Sequence, residues 1–142
     1  MKIATYLTFD GQAREAFTFY QQVLGGTLEH MMTFAEAPDG EQFPAEYRDR
    51  IMHTGLRLGD SLLMASDNIP GMSCGGAAYE GIKGCSISLH AVSVAESERL
   101  FAALAEGGRI EMPLEKTFWA ERFGMLVDRF GVSWMINCEQ PA

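Results

Sequence analysis

Long apolar runs, paired cysteines, basic clusters and phosphate-binding glycine loops are all missing from this sequence. No stretch approaches the roughly 18–20 consecutive apolar residues that cross a bilayer. The opening MKIATYLTFDG lacks the unbroken apolar segment and small-residue cleavage site of a secretory leader. A cytoplasmic protein without a membrane partner is therefore expected. The three cysteines, Cys74, Cys85 and Cys138, are odd in number and show no C-x-x-C spacing, which argues against a disulfide framework and against a thiolate zinc site. Cys85 and Cys138 are expected to be buried as small apolar residues. Eleven Lys and Arg against nineteen Asp and Glu leave a net charge of −8 with no basic patch, so a nucleic-acid backbone is not an expected partner. G-x-S-x-G, H-E-x-x-H and informative Cys–His spacings are absent, which removes local support for nucleotide hydrolysis and covalent acyl chemistry.

What is present is a hydrophobic content of 47% in 142 residues, enough for a real core, and a phrase written twice. VLGGTLEH at residues 23–30 returns as AEGGRIEM at residues 105–112. Shifted by 82 positions, Gly25 and Gly26 fall on Gly107 and Gly108, Leu28 on Ile110, Glu29 on Glu111, Phe19 on Phe101 and Leu7 on Leu89. Agreement of strand, helix and stop signal in the same order is the mark of an internal repeat.

Each copy opens on an alternating segment. Ile3, Thr5, Leu7 and Phe9 stand against Ala4, Tyr6 and Thr8; Cys85, Ile87, Leu89 and Ala91 stand against Ser86, Ser88 and His90. An amphipathic helix follows, with Ala16, Phe19, Tyr20 and Val23 on one face in the first copy and Val94, Leu100, Phe101 and Leu104 in the second. Ser93 and Glu96 have the spacing of a capping box, and a Gly pair closes each helix. Three further strands complete the unit, the last two joined by turns at Gly59-Asp60 and Asp128-Arg129-Phe130-Gly131. The expected fold is α+β: two βαβββ modules, residues 1–67 and 85–142, with a Gly-rich linker at 68–84 and a polar loop at 35–50 in the first module only. Two such modules can bury their helices on one side of a curved mixed sheet and keep a concave side for a small ligand.

The stretches YLTFDGQAREAFTFYQQVLGG, MHTGLRLGDSLLMASD, GGRIEMPLEKTFW and FWAERFGMLVDRFGVSWMI resemble the PhnB-like branch of the vicinal oxygen chelate superfamily, which includes glyoxalase I, bleomycin resistance proteins and extradiol dioxygenases. The resemblance covers essentially the whole chain and implies one such domain over residues 1–142. Enzymes of the superfamily hold a divalent metal with His and Glu from the first and last strands of each module. Carried over by position, those sites fall on Ala4, Met64, Ser86 and Met135, the last placed four residues beyond Gly131. None is a His, Asp or Glu, so no metal cofactor is expected at the usual place, and the Met pair is expected to line an apolar pocket. Some relatives in the branch are called methyltransferases of quinone biosynthesis. The Gly pairs here follow helices, whereas a nucleoside cofactor wants a Gly-rich strand-to-helix turn, and methyl transfer is not expected.

Individual residues carry the remaining expectations. His90, in line with Ser86 and Ser88, can serve as acid, base or donor, or simply be a satisfied structural histidine. His53 can reach the rim of the cavity; His30 is expected to lie near the surface without a role. Trp119 and Arg122, with Phe118 and Phe123, can stack on a planar ligand and hold an anionic oxygen, or else serve a subunit contact. Tyr6 offers a hydroxyl in an apolar setting. The leading expectation is a homodimeric small-molecule-binding protein that sequesters or presents an apolar or mildly anionic compound, as the resemblance to bleomycin resistance proteins implies. Its pocket would be lined by Tyr6, His53, Met64, His90, Trp119, Arg122 and Met135. The alternative is a metal-dependent lyase, isomerase or dioxygenase with relocated ligands, His53 and His90 (the catalytic candidates) plus a carboxylate such as Glu29 or Glu111. A vestigial pocket on a stable scaffold is the third reading.

Overall fold

A computed structural model describes residues 1–72 and 77–141. The chain divides into two compact units, Met1–Ile82 and Lys83–Ala142. The expected linker at 68–84 lies partly outside the described residues, as does Cys74.

In the first unit β1 (Thr5–Phe9) leads into α1 (Ala13–Leu24), then β2 (Thr27–Thr33), β3 (Ile51–Leu58) and β4 (Ser61–Asp67). The sheet order is β1-β4-β3-β2, with β1 parallel to β4 and the other pairs antiparallel. The second unit repeats this with β5 (Ile87–Ala91), α2 (Val94–Ala105), β6 (Arg109–Glu115), β7 (Ala120–Val127) and β8 (Ser133–Glu139), in the order β5-β8-β7-β6. Two βαβββ units, each with its own four-stranded mixed sheet, are thus what the alternating and helical patterns encode. The polar segment at 35–50, together with Phe34 just before it, forms three single-turn 3-10 helices. Among the described residues no helix is long and apolar enough to cross a membrane.

One face of each sheet is covered by its helix. Leu7 and Phe9 of β1, Leu56 of β3 and Leu63 and Ala65 of β4 are buried together with Ala16, Phe17, Tyr20 and Val23 of α1. Phe9 and Phe17 meet edge to face at 6.2 Å, a favoured aromatic geometry. In the second unit Leu126, Trp134, Ile136 and Cys138 are buried along with Leu100, Phe101 and Leu104 of α2. Gly124 makes room there, since a Cβ at that position would stand 2.7 Å from the Phe101 ring.

Two details differ from the sequence expectation. First strands recur at a spacing of 82, Thr5 to Ile87, but helices recur at 81, Ala13 to Val94. α1 starts one residue later after its strand than α2 does, so Tyr20, not Phe19, is the counterpart of Phe101, and Phe17 joins the core where Phe19 stays half-buried. Cys138 is buried as expected, but Cys85 is exposed, because β5 begins only at Ile87 and leaves Cys85 outside the paired strand.

Buried carboxylates hold the ends of these elements. Asp67, at the end of β4, accepts from the backbone N–H of Gly11 and Ala13 at 3.0 Å and of Ile51 at 2.8 Å. It caps α1 from a distance, since Gln12 provides no side-chain cap. Asp128 accepts from the N–H of Phe130 and Val132 and from the indole N–H of Trp134, at 2.8, 3.0 and 2.8 Å. α2 carries the expected cap: Ser93 Oγ accepts from Glu96 N at 3.1 Å, and the Glu96 carboxylate accepts from Val92 N at 2.8 Å. The second Gly of each pair answers a close approach. A Cβ at Gly26 would stand 2.3 Å from the Arg57 carbonyl oxygen, and one at Gly108 2.2 Å from that of Val127.

Candidate functional site

Side chains alternate along a strand, so whatever does not face the helix faces away from it. In the first unit Tyr6, Met64, Gly55 and Glu29 are cross-strand partners and form one row on the face turned away from α1. The Tyr6 oxygen lies 3.0 Å from Nδ1 of His53, with the rings stacked at 5.7 Å. His53 is paired with Met32 across β2. Between Glu29 and Met32 the register of β2 shifts, and His30, in the shifted stretch, has φ of +55°. This bulge sets the His30 ring 6.4 Å from that of His53. Sequence reasoning had no access to this: a bulge at a non-glycine residue leaves no compositional mark. Beside this group Arg57 grips Glu29 in a two-point ion pair, Nε to Oε1 at 2.8 Å and a terminal nitrogen to Oε2 at 3.3 Å. The hydrogen bond from Arg57 holds the Glu29 carboxyl below its ordinary range, and the same contact raises the guanidinium.

The second unit presents a different row in the same place. Ser88, Met135, Met125 and Met112 are successive cross-strand partners from β5 to β6. Met64 and Met135 therefore occupy equivalent registers, opposite Tyr6 and Ser88. His90 is in the next row with Asn137, Phe123 and, after a register shift, Glu115; its Nε2 is 3.3 Å from Ser88 Oγ. Trp119 is half-exposed and packs on Phe123 at 5.5 Å, with Phe118 against it at 4.7 Å. Arg122 does not join these aromatics. Its Cα partner is the buried Cys138, its guanidinium lies 3.8 Å from Glu98 of α2 and 3.7 Å from Glu121, and it donates to the Glu121 carbonyl at 2.7 Å. Alternation puts neighbours Arg122 and Phe123 on opposite faces.

Of the nominated residues, Tyr6, His53 and Met64 thus share a face in the first unit. His90, Trp119 and Met135 lie on one face in the second. A cavity of about 320 Å³ in the first unit, lined by Asp10, Asn68, Pro70, Gly71, Ala77, Ala78 and Tyr79, involves none of them. None of the nine methionines belongs to the buried core.

Two βαβββ units, each presenting a helix-free sheet face, define the chain as a glyoxalase/bleomycin resistance/dioxygenase fold. A protein of that class from Burkholderia phytofirmans matches at a TM-score of 0.62 with 19% identity, over 96% of this chain and 98% of that one. The sequence then narrows the placement: the chain matches the 3-demethylubiquinone-9 3-methyltransferase family over residues 1–137 and belongs to that family, the PhnB-like branch. The crystal structure of PA1353 from Pseudomonas aeruginosa is similar at a TM-score of 0.89 and 57% identity, covering 99% of both chains. The PhnB protein of Bacillus cereus follows at 0.77 and 23%, covering 97% and 99%. Protein YjdN of Escherichia coli is 38% identical over 151 residues, 99% of each chain.

Two groups that this kinship implies can be tested against the residues. Ala4 and Ser86 precede β1 and β5, and Ser86 Oγ is 2.8 Å from Ser133 Oγ; taken unit by unit, an Ala with the Met64 thioether in the first and a Ser with the Met135 thioether in the second do not fit a hard or borderline divalent ion. Among the described residues no group of three or more His, Cys, Asp and Glu is placed to hold a metal. A nucleoside methyl donor fits no better at the strand-to-helix turns. After β1 the N–H groups of Gly11 and Ala13 are taken by Asp67, and after β5 that of Val92 is taken by the Glu96 carboxylate and that of Glu96 by Ser93 Oγ.

Proposed function

We propose that this protein binds an apolar small molecule on the helix-free faces of its sheets, as a cytoplasmic homodimer that sequesters or presents the compound. One observation carries the reading: methionine, a common filler of irregular cores, is missing from the core and concentrated instead on half-exposed sheet surface. Soft, unbranched thioether side chains on a surface suit the accommodation of apolar ligands. The neighbouring polar groups, Tyr6 with His53 and Ser88 with His90, supply a few oriented hydrogen bonds.

The test is a thermal-shift screen of uncharged and charged metabolites and drugs on tag-free protein, with metal content measured by mass spectrometry. Stabilisation by an apolar compound, in protein that retains no stoichiometric metal after exposure to Zn, Mn, Ni and Fe(II), is the expected result. About one tightly held divalent ion per chain would move the function to the metal-dependent alternative and the search to His53, His90 and nearby carboxylates.

A further inference from the structure

We infer that the β6-β7-β8 surface of the second unit is a platform for a neutral, planar ring system carrying a hydrogen-bonding oxygen, laid flat across Met112, Met125 and Met135. The inference rests on the small-molecule reading above and names the ligand class for one of its surfaces. The three thioethers are consecutive cross-strand partners. With strands about 4.8 Å apart, they span roughly 10 Å, wide enough for two fused rings. The helix-covered side of the same three strands uses Trp134, Ile136 and Leu126 and no methionine. Thioether sulfur is attracted to aromatic rings, and Trp119 and Phe123, which meet edge to face at 5.5 Å, put aromatic surface beside the platform.

Charge decides the rest. The groups beside the platform at β5 and β8 are Ser88, His90 and Asn137, which offer hydrogen bonds to an oxygen. Arg122, the cation that would have held an anionic ligand, is turned to the helix side against Glu98. Arg109, at the far corner, is paired with Glu111 at 3.0 Å, and Glu115 stands at the β6 edge. Among the described residues, an anionic ligand would meet no uncommitted guanidinium over the platform.

Methyl-¹³C methionine labelling gives the experiment nine reporters, assigned by single Met→Leu variants. The whole protein is titrated with β-naphthol, n-decanol and β-naphthoate. The expected result is saturable upfield ring-current shifts of the Met112, Met125 and Met135 methyls with β-naphthol and weaker binding of the other two. Met125→Ala should weaken β-naphthol by about three- to tenfold, the range of one sulfur–ring contact plus lost area, while Met72→Ala, at an exposed position outside the sheets, leaves it unchanged. Tighter binding of n-decanol or β-naphthoate at the same methyls would overturn the ligand class and leave the small-molecule reading standing. Shifts confined to other methionines, or none with any probe while another compound stabilises the protein, would overturn the platform alone. The reading as a whole fails separately, if no compound of the screen binds.

Discussion

The Tyr6 hydroxyl, on an edge strand, lies 3.0 Å from Nδ1 of His53, two strands away in the same sheet. A phenol is the natural donor to a neutral imidazole, which would place the ring proton of His53 on Nε2. Nitrogen-15 shifts should show that tautomer in the wild type and a mixture in Tyr6→Phe. Because Tyr6 is 48% exposed, the variant should change folding stability by less than about 0.5 kcal/mol. A ligand held near this pair should bind it about two- to tenfold more weakly, the worth of one hydrogen bond. An unchanged tautomer in Tyr6→Phe would show that the contact does not set the ring.

Asp67 is 3% exposed and accepts from three backbone N–H groups. Asp67→Ala strands those donors in the interior and should cost roughly 3–5 kcal/mol in urea denaturation. Asp67→Asn, with one acceptor oxygen left, should lose clearly less. Equal losses would mean that shape, not acceptance, is what the site requires.

Gly25 and Gly26 separate two reasons for glycine. Gly25 has φ of +81° with nothing within 4 Å of an added Cβ, while Gly26 has φ of +82° and a carbonyl oxygen at 2.3 Å. Gly25→Ala should cost about 1–2 kcal/mol from backbone strain alone; Gly26→Ala should cost about 3 kcal/mol or more, with overpacking added. The reverse order in chemical denaturation would contradict the packing of β3 against this turn.

The Glu29–Arg57 pair sets a pH dependence. The folded carboxyl titrates below its ordinary value of 4.5, so its contribution is fully present above the unfolded value and disappears as pH falls through the folded one. Stability of wild type relative to Glu29→Gln should therefore exceed parity near neutral pH and converge on it in acid. Added salt should narrow the gap, since the pair is exposed. A gap that grows on acidification would reverse the sign.

Much of the fold was legible along the chain. Alternation located β1 and β5, the apolar stripes located both helices, and Ser93 with Glu96 marked a cap that the structure contains. Even the placement of Arg122 was available, since adjacent strand residues point to opposite faces; grouping it with Trp119 and Phe123 overlooked that rule. Helical spacing alone groups Phe19 with Ala16, Tyr20 and Val23, and the 82-residue offset pairs it with Phe101; that pairing fails because the connections on either side of α1 and α2 differ by one residue.

By itself the sequence determined that a βαβββ unit is made twice and where its helices stop. These are local or periodic properties, written in neighbouring residues. Tertiary structure alone decided the rest: that Met112, Met125 and Met135 stand in one row, that a bulge brings His30 to His53, and that Asp67 serves backbone 54 and 56 residues before it. Each depends on register between strands distant along the chain, and register is set by cross-strand hydrogen bonding and the helix-covered core together.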